Sequence, residues 1–120
     1  MLFLFLFSRS ALSNVYTELS LKASGMSAGM SRSEVISLLG PPSWAVIKGD
    51  TGKFTLKDPN IHLELYWKNG ECSPVIVRFD SGLKVSHWED GSDYCGKDAH
   101  LFDPPDEYSC SKPDRTKQCQ

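Results

Sequence analysis

A chain of 120 residues with 40% hydrophobic residues holds one domain, whose core is small enough to profit from cross-links. Its formal net charge of −2 argues against a general nucleic-acid binder, since phosphate backbones need a clustered basic face. Charge is uneven: seven acids (Glu89, Asp90, Asp93, Asp98, Asp103, Asp106, Glu107) face one base, Lys97, between Glu89 and Glu107. That stretch reads as a solvated acidic tail, and Asp90-Gly91-Ser92-Asp93 is only a fragment of a calcium loop.

Met1 to Phe7 is an unbroken apolar run, short of the ~20 residues a bilayer span needs. It suits the apolar core of a secretory signal, with Ala11 and Ser13 as small residues near a cleavage point, although no basic residue precedes it. Residues 1–13 are therefore assigned as a leader. An apolar first element or a late start are the alternatives. Asn14 to about Ser24 has Val15, Leu19 and Lys22 at helical spacing, with Ser13 or Asn14 as cap.

The strongest local signal follows a small-residue linker, Ser24 to Ala28. Ser31 and Glu34 make a capping box, Met30 and Val35 a hydrophobic staple, and Gly40-Pro41-Pro42 a stop. Val35, Leu38 and Leu39 share one face, so this helix has a side to bury. Two turns do not persist alone in water, so the helix must dock.

Ser43 to Ile47 reads as a short extended segment, and Lys48 to Pro59 as a loop with one weak strand around Phe54. Alternation then becomes clean. Ile61, Leu63, Leu65 and Trp67 oppose His62, Glu64, Tyr66 and Lys68, and Asn69-Gly70 signals a hairpin. Val75, Val77 and Phe79 oppose Ile76 and Arg78, Asp80-Ser81-Gly82 turns, and Leu83, Val85 and His87 oppose Lys84, Ser86 and Trp88. The expectation is a three-stranded antiparallel meander with one wet face, the capped helix lying on the other. From Asp90 onward glycines and prolines break every period, leaving an irregular tail.

Cys72, Cys95, Cys110 and Cys119 all fall in the second half. An even number in a short exported chain points to disulfides, and the spacings do not suit zinc. Of three connectivities, Cys72–Cys95 with Cys110–Cys119 avoids crossing loops.

No pattern of catalytic or cofactor-binding residues emerges. His62, His87 and His100 sit on different elements without ligand spacing, no nucleophile elbow is present, and the glycines form no phosphate-cradling loop. A small hydrolase using His87 or His100 is the weakest reading. The aromatics carry more: Tyr66 and Trp88 fall on the expected wet face beside Ile76, with Trp44 just past the helix stop. These three are the candidate partner-binding residues, unless the leader or the tail covers them.

Gly29-Met30-Ser31-x-x-Glu34-Val35-x-x-Leu38-Leu39-Gly40-x-Pro42, followed by an aromatic-rich strand, a hairpin and Val77-x-Phe79-Asp80-x-Gly82-Leu83-x-Val85, resembles the SmpA/OmlA (BamE-like) outer-membrane lipoprotein family, whose ααβββ unit is shared with β-lactamase inhibitory protein. The resemblance covers about residues 14–89. It implies a small envelope protein that works by binding, as an assembly accessory or, alternatively, as a secreted inhibitor using its sheet face. Two departures stand out: no lipid-attachment cysteine follows the apolar run, and residues 90–120 are an added tail. The expectation is a periplasmic or secreted, non-enzymatic α+β protein, ααβββ, with a protein partner, no cofactor and no metal. Membrane association enters only through the resemblance.

Overall fold

The structure, a computed structural model, describes residues 17–120. The leader expected over residues 1–13 and the caps expected at Ser13 or Asn14 lie outside the described residues. Helix α1, Glu18–Ala23, is capped instead by Thr17, whose hydroxyl accepts from the Ser20 N–H at 2.9 Å.

Helix α2, Arg32–Leu39, forms as its sequence dictates. The Ser31 hydroxyl accepts from the Glu34 N–H at 3.1 Å, and the Glu34 carboxylate accepts from the Ser31 N–H at 2.8 Å. The bond from the Ser31 backbone holds the Glu34 carboxyl below its ordinary value. Gly40 ends the helix at φ 90° and ψ −175°, a region essentially closed to residues with a Cβ.

The sheet has four antiparallel strands in the order β1-β2-β3-β4, not three: β1 Trp44–Ile47, β2 Leu63–Asn69, β3 Cys72–Phe79 and β4 Val85–Asp90. The added strand is the segment expected only to be extended. Its Ala45 pairs with Leu65 and its Trp44 with Tyr66. Four residues are too few to display a period, so only the partner strand reveals it. The weak strand expected around Phe54 does not form; that residue lies in the loop between β1 and β2.

Two irregularities set the side-chain directions. Between Trp67↔Val75 and Asn69↔Cys72, β3 carries one more residue than β2, which places Pro74, with no N–H to give, in a bulge. Between Arg78↔His87 and Phe79↔Val85, the extra residue is Ser86 on β4. Strict alternation would send Val85 and His87 to one face. The bulge instead returns Trp88, opposite Val77, to the face of Val85, and sends His87, opposite Arg78, to the other.

The helix-side face holds the main core: Leu63, Leu65, Trp67, Val75, Val77, Phe79 and Val85 bury against Val35 and Leu39 of α2 and Ala23 of α1. Leu38 is half-buried at its margin. Before α2, the Gly29 N–H donates to the Val85 carbonyl and the Val85 N–H to the Met30 carbonyl, each at 2.8 Å, so the Gly29-Met30 backbone shields the start of the β4 edge.

The second face is not simply wet. Val46, Tyr66 and Tyr108 form a smaller buried cluster, with Trp44, Phe54, Leu56 and Ile76 packed around it. The loop between β1 and β2, through Phe54 and Leu56, and the expected irregular tail, through Tyr108, supply this cover together. The tail itself is built of four short 3₁₀ turns, Gly91–Asp93, Ala99–Phe102, Asp106–Tyr108 and Thr116–Cys119. Its anchor is Arg115, only 8% exposed, which grips Asp50 with two bonds of 2.5 and 3.0 Å, donates to the Ala45 carbonyl and lies over the Tyr108 ring. The bond to Asp50 raises the Arg115 pKa above its ordinary value despite burial. Disulfides Cys72–Cys95 and Cys110–Cys119 close loops of 23 and 9 residues, the expected non-crossing pairing.

Candidate binding surface

The three predicted partner-binding aromatics do not share a surface. Tyr66 is 5% exposed beneath the cover, edge-on to Phe54 with centroids 6.2 Å apart. Burial, then the neighbouring Glu64 charge, pushes its hydroxyl pKa far above the ordinary value, and it donates to Glu64 at 2.8 Å. Trp44 is half-buried on the same side, bridged to Ser109 of the tail. Trp88, turned by the Ser86 bulge, packs on the helix side and lines a cleft of about 310 Å³ with Leu21 and Ala23. The expected aromatic face is thus split across the sheet by the Ser86 bulge, and what is left of it is covered by the β1–β2 loop and the tail.

What remains open of the second face lies over β3 and β4. Here Glu64, Arg78, His87 and Glu89 run across three strands, in register through Glu64↔Arg78 and Arg78↔His87. Arg78 donates to Glu64 at 2.7 Å and also to Glu89. Burial pulls the Arg78 pKa down, but its two carboxylate partners more than reverse this, so the guanidinium stays charged. Both Glu64 oxygens are engaged, one by Tyr66 and one by Arg78. His87 lines a cleft of about 250 Å³ with Glu64 and Arg78 and bonds to the Ser86 hydroxyl at 3.0 Å. A carboxylate so occupied is ill-placed to orient His87 or accept its proton.

The other histidines are dispersed. His62 sits 3.4 Å from the Lys48 ammonium, and His100 pairs with Asp103 at 3.0 Å. Among the described residues, no three His, Cys, Asp or Glu side chains gather as a metal-ligand set.

Beyond the Arg78–Glu89 pair the tail presents apolar surface. Leu101 is 69% exposed, Phe102 52% and Tyr94 47%; Tyr94 and Phe102 meet edge to face with centroids 5.7 Å apart. Between them and the sheet lies a groove of about 220 Å³, floored by Pro74 and Ile76. Its lining carries three carboxylates, Glu89, Asp90 and Asp93, and no base. Burial raises the Asp90 pKa, but bonds from Ser20 and Ser92 hold it below its ordinary value, so it stays ionised.

The groove is built rigidly. Cys72–Cys95 ties its wall to β3, and Asn69 donates to the Ser73 carbonyl at 3.1 Å and the Ser92 hydroxyl at 2.9 Å. Ser73 donates to the Ala99 carbonyl beneath the turn that bears Leu101 and Phe102. At Gly91 any side chain would collide with the Ser73 backbone, so the closeness of the turn depends on that glycine. Sequence reasoning missed Tyr94, Leu101 and Phe102. The available signal was the adjacent pair Leu101-Phe102, apolar within a polar tail.

Fold and surface define a small α+β domain whose sheet is closed on one side by helices and on the other by a disulfide-fastened cover. No family model, curated protein or solved structure matches the chain. Among the described residues no helix is long and apolar enough to cross a membrane, and the two disulfides suit an oxidising compartment.

Proposed function

We propose that this chain is a non-enzymatic, exported binding protein of the bacterial cell envelope, with the tail-built patch of Tyr94, Leu101 and Phe102 as its contact surface. The observation that carries this reading is large apolar side chains exposed on a doubly cross-linked cover. A folded domain gains nothing in stability by holding such side chains in water, whereas pre-ordered aromatics anchor a partner at low entropic cost. The SmpA/OmlA (BamE-like) resemblance supports an envelope role and suggests an accessory in outer-membrane assembly. An inhibitor-like role is the second reading, favoured by the preformed groove beside the patch. Its surface is the tail patch rather than the sheet face, because Tyr66 is covered.

The test compares photo-crosslinking from position 101 with crosslinking from an exposed control position, Lys53, in envelope extract. A defined adduct from the patch that disappears in the Tyr94→Ser/Phe102→Ser variant, at unchanged thermal midpoint, is the expected result. Recovery of an outer-membrane assembly component selects the accessory role, and recovery of a soluble enzyme selects the inhibitor role. Equal labelling from both positions overturns the reading.

A further inference from the structure

We propose that the groove between Tyr94, Phe102 and the β3 floor takes one apolar side chain of a cationic protein segment, a Leu-like anchor flanked by Lys or Arg. This rests on the binding-protein reading and names the partner's chemistry.

Three observations select that occupant. The groove, about 220 Å³, falls below the ~300 Å³ at which small-molecule pockets begin, so it suits a side chain rather than a whole ligand. Its lining joins the apolar Pro74, Ile76, Tyr94 and Phe102 to three carboxylate residues, Glu89, Asp90 and Asp93, and contains no base. Arg78 offsets only part of the local negative charge, because Glu64 and Glu89 both bind it and Asp90 and Asp93 have no basic partner among the described contacts. A cationic flank therefore gains Coulomb attraction where an acidic one is repelled, and steering speeds its encounter. The same charge disfavours nucleic acid and anionic lipid.

The probe is a capped peptide with one central Leu between pairs of Lys on a Gly/Ser background, titrated into the isotopically labelled full chain. Shift changes at Ile76, Gly91, Tyr94 and Phe102, with affinity falling as salt is added, are expected. Phe102→Ser and Asp93→Lys should each weaken binding roughly tenfold while leaving the thermal midpoint in place. Leu101→Ser, outside the groove lining, should weaken it less. Equal binding of a Glu-flanked peptide overturns the proposal, as do shift changes at any other surface. The same residues responding to zwitterionic phosphatidylcholine vesicles, and not to the Lys peptide, would reassign the patch to a membrane. If crosslinking from position 101 captures a partner yet no Lys-flanked peptide binds, this inference falls and the binding-protein reading stands. If crosslinking is non-specific while the peptide still binds at the groove, the inference survives without the envelope role.

Discussion

The two faces of one sheet are closed by different means. On the helix side, closure is apolar and continuous: Phe79, Leu63, Leu65 and Val77 are sealed beneath Val35 and Leu39. On the tail side a small aromatic cluster is held by a buried ion pair, a disulfide loop and short turns with little periodicity. The first closure follows from the hydrophobic effect alone and tolerates no void. The second is assembled from discrete fasteners. Each can be removed singly, and the loss should stay local.

That contrast can be tested from its strongest point downward. Phe79→Ala, at the centre of the helix-side core, should cost about 3–5 kcal/mol and lower protection throughout the sheet in hydrogen exchange. A loss confined to the tail side would break the comparison. Arg115→Met leaves Asp50 largely buried without its partner and should cost about 3 kcal/mol. Exchange should rise across β1 and residues 108–119, with α2 unaffected. Removing Cys72–Cys95 should cost about 3.4 kcal/mol and removing Cys110–Cys119 about 2.6 kcal/mol in the chain-entropy account, read from denaturant midpoints of the paired Cys→Ser variants. Ser31→Ala should cost about 1 kcal/mol and act through α2 alone.

Acid supplies the mildest perturbation. Asp90 and Glu34 have folded pKa values below their ordinary 3.8 and 4.5. Their contribution is therefore complete above about 4.5 and is lost as pH falls through the lowered values. Thermal midpoints should decline on acidification below that point, and less so in Asp90→Asn. At the alkaline end Tyr66, with its raised pKa, should stay protonated well above the pH of about 10 at which a free tyrosine ionises, which absorbance titration will detect. Its contribution holds below the unfolded value and fades above it.

The difference between the faces also explains what could be read in advance. The capping box, the stop at Gly40 and the in–out pattern of β2 and β3 are local or periodic, so sequence alone placed them. The role of β1 depends on Leu65 and Tyr66, about twenty residues away, and four residues carry no period of their own. The cover depends on Asp50 meeting Arg115, 65 positions later, and no spacing rule encodes such a pairing. That the three aromatics singled out for binding do not share one face was hidden for the same reason. Tyr66 looks outward until Phe54 and Tyr108 close over it, and the exposure of Leu101 and Phe102 follows only once their turn is fixed beside β3.

Ser86 has an effect out of proportion to its size. One surplus residue works like a half-twist in a ribbon: before it, odd positions of β4 look toward the helices, and after it even ones do. Excising Ser86 would therefore not merely shorten an exposed strand. It would exchange the indole of Trp88 for the imidazole of His87 at the helix side, and carry Asp90 away from Ser20.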